Sequence, residues 1–190
     1  MNSSDNLVKN PTPVMEIIVR TALIAAAILI IPLVIMLTTD EMNWSVIDYI
    51  IVWLLLFGAG VTFRLLTRKK SRLTYRIGIG LAVLTGLFMM WVNLAVGIVG
   101  SGPNAANLMY AGILVIGMIG AIVSKFKPNG LANTLFIVAT LNSMLCIFAV
   151  LMDKRAVGED STWQIIAFNC FFIVMWIASG LLIKTGDNLK

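Results

Sequence analysis

Histidine does not occur anywhere in the chain. Its absence excludes bis-histidine haem ligation, the usual zinc sites and any imidazole acid–base catalyst. Cysteine is almost as scarce. Cys146 and Cys170 are the two copies, both set in apolar stretches, without CxxC spacing and without a disulfide framework. Thiols in such surroundings are small packing residues. Charge is thin as well: 12% of the 190 residues are Asp, Glu, Lys or Arg, where a soluble domain carries roughly 25%. Enzymes at membrane depth need histidines, paired acids or Ser/Lys dyads, and no such pairing is visible. No strand precedes any of the glycines, so none of them forms a nucleotide-binding loop. No catalytic residue, cofactor or metal is expected.

Apolar side chains are abundant. They make up 59% of the chain, and mean hydropathy is +0.96. At about 20 residues per membrane span, the length accommodates six spans with short connections. The apolar runs lie at about 17–37, 45–66, 77–99, 106–124, 131–152 and 163–183. The first is too long for a signal-peptide core, and Thr38-Thr39-Asp40-Glu41 is not a small-residue cleavage site. Lipid leaves only helices or closed barrels as spans. Runs twice the ~10 residues of a barrel strand, and uniformly apolar, are helices. The expected fold is an all-α polytopic bundle of six transmembrane helices. Residues 14–185 read as one such domain, 1–13 as a flexible cytoplasmic lead and 186–190 as a cytoplasmic tail.

The net charge of +5 does not point to nucleic acid, since the cations cluster at the ends of apolar runs without any binding motif. Of the 14 Lys and Arg residues, all but Lys154 and Arg155 fall on one side of the expected membrane. The positive-inside rule makes that side cytoplasmic, with both termini and the basic loop at 67–76. Anionic head groups are the expected partners of that loop. Trp44 and Trp163 fall at the opposite interface.

Polar groups inside the apolar layer are the place to look for function. Glu16 and Arg20 stand four apart on one helical face and are expected to pair. Asp48 lies one turn inside the second run. Asn93, Asn107 and Asn169 fall within ~10 Å of the outer boundary at ~1.5 Å per residue, joined by Tyr110, with Asn142 slightly deeper. Amides of this kind either bond neighbouring helices together or line a polar pocket. Glycines 78, 80, 86, 97 and 100 in the third run and 112, 117 and 120 in the fourth predict a close hairpin between those two runs.

The stretch Trp91-Val-Asn93-Leu-Ala95-Val-Gly97-Ile-Val-Gly100-Ser101, with Asn104 and then Ala106-Asn107-Leu108-Met109-Tyr110, resembles a family of small bacterial multi-pass membrane proteins of unassigned function. The likeness covers the third and fourth runs and weakens through the fifth. Relatives carry acids where this chain has Gly102 and Pro103. The resemblance implies a bacterial inner-membrane protein and no particular activity.

Two functions follow from this sequence. One is transport or binding of a small solute or ion through an outward-facing polar pocket drawn from Asp48, Asn93, Asn107, Tyr110, Asn142 and Asn169. The other is a non-catalytic membrane subunit or assembly factor acting through lipid, a second copy or another membrane protein.

Overall fold

The computed structural model describes residues 13–39, 43–68, 72–95, 97–98, 105–153 and 159–188. The expected lead, save Pro13, and the Gly100–Asn104 turn lie outside the described residues. The elements are α1 (Val14–Ile28), α2 (Ile30–Thr38), α3 (Val46–Thr67), α4 (Leu73–Ala95), α5 (Ala105–Val123), α6 (Pro128–Asp153) and α7 (Glu159–Asn188), with no strand among the described residues. The chain is an all-α, multi-pass membrane protein.

The first apolar run, predicted as one helix, is broken at Leu29 into α1 and α2. Pro32 explains the break. It has no N–H for the Ile28 carbonyl, and its ring crowds that carbonyl. Helical bonding continues on either side, from Leu29 N–H to Ala25 O and from Leu33 N–H to Leu29 O, both at 3.3 Å.

Other boundaries move for local reasons. α4 starts at Leu73 rather than 77 and stops at Ala95, short of 99. Gly97 takes a left-handed φ of 79° and returns its N–H to Val92 O at 3.1 Å, which turns the chain out of helix. The Pro128-Asn129-Gly130 stretch, expected as a breaker, is instead the first turn of α6. Proline suits that position because the first helical N–H needs no partner within the helix. Beyond its expected end at 183, α7 continues to Asn188, so most of the anticipated tail is helical.

Five helical runs are long and apolar enough to cross a membrane: Val14–Thr38, Val46–Thr67, Leu73–Ala95, Pro128–Leu151 and Thr162–Asp187. The fourth expected span, α5, is shorter, with its apolar stretch at Asn107–Val123. At ~1.5 Å per residue, its 19 residues reach ~28 Å, just under a ~30 Å hydrocarbon layer. Consecutive left-handed residues, Lys125 at φ 52° and Phe126 at φ 55°, end it abruptly.

The chain divides into two compact units, Met1–Ser71 and Arg72–Lys190. In the first, α3 packs antiparallel to α1. Gly60 admits Thr21, whose Cγ2 would lie 2.5 Å from a Cβ built there, and Trp53 Nε1–H donates to Ala22 O at 3.4 Å. α2 has no buried residue.

The second unit is an up-down-up-down arrangement of α4 to α7, with α7 packed broadly on both α6 and α4, and α5 on α6. The buried stripe of α7, Ile165, Asn169, Phe172, Trp176, Ser179 and Ile183, repeats at three or four residues and faces that core. Of the glycines expected to line a hairpin of α4 with α5, Gly86 faces Leu114 of α5 as well as Trp176 of α7, and others serve different pairs of helices. Gly78 meets Leu182 and Ile183 of α7, while Gly117 and Gly120 meet Val138 and Thr134 of α6. Close approach therefore serves the α4–α7 and α5–α6 contacts.

Candidate functional site

Asn142 is fully buried, at 0% exposure, and neither its Oδ1 nor its Nδ2 has a hydrogen-bond partner. It sits on the α6 face that carries Val138, Ala139, Leu145 and Ala149 into the core shared with α4, α5 and α7. An unmet buried amide group costs about 1–3 kcal/mol, and here both ends of one side chain are unmet.

The neighbouring polar groups are arranged along the same core. Tyr110 of α5 (1% exposed) and Asn169 of α7 (0%) bond to each other: Tyr110 Oη–H donates to Asn169 Oδ1 at 3.3 Å, and Asn169 Nδ2 donates to Tyr110 Oη at 3.0 Å. Asn169 Nδ2 also donates to Ile165 O at 2.8 Å. On the other side stands Trp176, 4% exposed, whose Nε1–H has no partner. Its ring end reaches toward Gly86 of α4, as does the Leu114 side chain of α5.

Helix register relates these groups. Gly117 faces Val138, and Gly180 faces Phe136. Counting at ~1.5 Å per residue along antiparallel neighbours, Asn142 stands about one turn from the Tyr110–Asn169 pair. It stands only ~3 Å in depth from Trp176, on the opposite side. In depth along the helices, the polar groups of this apolar core follow as a seam in the order of a satisfied phenol–amide pair, an orphaned amide and an orphaned indole.

Asn93 and Asn107 close one end of the unit. Asn93 Nδ2 donates to the Asn107 carbonyl at 2.9 Å, and Ile98 N–H donates to Asn107 Oδ1 at 3.1 Å. Asn107 thus ties down the backbone that leaves α4. Asn93 retains a buried Oδ1 with no partner. The seam is uncharged: the buried polar residues described in this unit are Thr85, Thr134, Asn142, Asn169 and Ser179.

No family model matches the chain, and neither does any curated protein or solved structure.

The remaining sequence candidates belong to the first unit. Asp48 is exposed and caps its own helix. Its Oδ2 accepts from Ser45 N–H at 2.7 Å and from Ser45 Oγ–H at 2.8 Å, while Asp48 N–H donates to Ser45 Oγ at 3.3 Å. This reciprocal capping box occupies the carboxylate locally. Glu16 and Arg20 form the expected ion pair on a largely exposed face, where such pairs contribute little. Cys146 and Cys170 are free thiols, the first part-buried and the second exposed. No cluster of three metal-ligating side chains exists among the described residues.

Trp176 and Ser179 are polar members of the core that the depth count along the sequence does not single out. Ser179 Oγ–H donates to Gly78 O at 2.6 Å, joining α7 to α4. The signal for both is the α7 periodicity, because each lies at helical spacing from Asn169.

Proposed function

We propose that the second unit binds a small uncharged polar solute in the seam around Asn142, as the binding site of a transporter. The observation that carries this reading is Asn142 itself, fully buried with two unmet hydrogen-bonding atoms. A purely structural amide would have found a partner, as Asn169 and Asn107 have. A neutral solute is favoured over an ion. An ion in such a core needs an opposite charge or a full set of oxygens, and the described seam has neither. Asn93, Asn107, Tyr110 and Asn169 then form the wall on the side from which the solute enters. Asp48 has no part in this site, since its carboxylate is engaged in capping α3.

The cation distribution supports an orientation with both termini cytoplasmic, which puts the Asn93–Asn107 end on the outer face. The bacterial inner membrane is the location that the resemblance in the third and fourth runs implies.

The test is Asn142→Leu, read by thermal unfolding in detergent and by solute entry into proteoliposomes. Leucine removes both unmet groups while keeping the branched outline of the side chain, so the variant is expected to melt higher and to lose solute entry. A lower melting point with undiminished entry of neutral solutes overturns the proposal.

A further inference from the structure

Resting on that reading, we propose that the solute is a compact primary amide, or a urea of similar size. The functional groups left open in the seam define its chemistry. Asn142 offers one acceptor, Oδ1, and one donor group, Nδ2, on a single planar carboxamide, and both are unpartnered. The chemical complement of a free carboxamide is another carboxamide, which accepts from Nδ2–H through its carbonyl and donates its own N–H to Oδ1 in a cyclic pair. Trp176 Nε1–H is a second unpartnered donor in the same core, ~3 Å from Asn142 in depth by helix register. It supplies the other lone pair of the ligand carbonyl with its hydrogen bond. The open groups of Asn142 and Trp176 therefore ask for a carbonyl that accepts twice and an N–H that donates once.

Other neutral solutes meet this demand less well. An alcohol accepts and donates through a single oxygen and so cannot make the two parallel hydrogen bonds that a second carboxamide makes with Asn142, and a tertiary amide or ester has no N–H for Oδ1. The walls also favour a small ligand. Ile113, Val138, Ala139, Leu145 and Phe172 are all buried in the shared core, leaving apolar packing around whatever occupies the open groups. The absence of buried charge among the described residues of this unit separates an amide from an amino acid or a carboxylate, either of which would bring an unpaired ion into the core.

The experiment uses the full chain in proteoliposomes and in detergent, with acetamide, N,N-dimethylacetamide and glycerol as probes. Entry is followed by stopped-flow light scattering and binding by solute-dependent thermal stabilisation, which appears only for a molecule that favours the folded state. Acetamide is expected to enter and to stabilise, N,N-dimethylacetamide and glycerol to do neither. Trp176→Phe is expected to weaken the acetamide response about three- to tenfold, the loss of one hydrogen bond. Asn142→Leu is expected to abolish the response, with Asn142→Ser as the substitute if the leucine variant is not monodisperse. If glycerol or N,N-dimethylacetamide matches acetamide, the amide assignment is overturned while a neutral-solute site stands. If no probe enters or stabilises, both readings fall.

Discussion

Tyr110 and Asn169 lie 59 positions apart and exchange hydrogen bonds at the buried centre of the second unit, the phenol donating to the amide oxygen and the amide donating back. This pair joins α5 to α7, two helices that otherwise meet chiefly through α6 and α4. It also sets a contrast with Asn142, one turn away. Two amides on neighbouring helices, equally buried, have opposite hydrogen-bonding fates.

That contrast is measurable as a coupling energy. Tyr110→Phe, Asn169→Ala and the double variant form a cycle in which the pair should show about 0.6 kcal/mol of coupling, with an upper range near 1.7, as for hydrogen bonds between membrane helices. Unfolding in mixed micelles supplies the numbers. A coupling of zero would mean that the two groups do not bond in the folded protein.

Glycine substitutions separate close helix contacts from open positions. A Cβ at Gly186 would lie 2.7 Å from Tyr75 N and 3.0 Å from its Cα, and one at Gly78 would lie 2.9 Å from Ile183 N. Those neighbours are backbone atoms and cannot swing aside, so Gly78→Ala and Gly186→Ala should each cost about 1–3 kcal/mol by forcing α4 from α7. Gly112 has nothing within 4 Å of the same construction. Gly112→Ala should be neutral or stabilising by up to about 1 kcal/mol through helix propensity. Melting points of the three variants rank these effects.

Asp48→Ala should fray the start of α3 and leave solute entry unchanged. Hydrogen exchange at Ile47 to Tyr49 reports the loss of the capping box, while the flux assay on the same protein checks the second half of the expectation. A loss of solute entry with unchanged exchange would return Asp48 to the list of site residues.

Pro32→Ala should heal the break at Leu29. Position 32 gains an N–H for the Ile28 carbonyl, and α1 and α2 become one helix. Amide exchange across residues 28–33 should slow, since removing an interior proline relieves a local cost of up to about 3 kcal/mol. Unchanged exchange there would assign the break to some cause other than the proline.

The fold is most legible in the sequence where one physical requirement acts along the chain. Long apolar runs must be helices because lipid cannot solvate a bare amide, and among the described residues each of the six runs is mostly helix. Boundaries were less legible. Pro128, Asn129 and Gly130 look like a breaker yet open α6, because the same proline that stops a helix internally is harmless at its first position. Gly97 ends α4 through a backbone conformation that composition alone does not announce.

For the candidate site, residue type and depth were visible in advance, and partnership was not. Asn93, Asn107, Tyr110, Asn142 and Asn169 all stood out as polar groups in an apolar layer. Whether an amide is bonded or orphaned depends on what the neighbouring helix presents at the same level, and that depends on register and rotation between helices. Those are set by close approaches such as Gly78 to Ile183 and Gly120 to Thr134, between residues far apart in the chain. Composition and periodicity, which act locally, determined that this protein is helical and membrane-spanning. Only the tertiary packing decided that Asn169 is spent on Tyr110 and that Asn142 is left with both its hydrogen-bonding groups open.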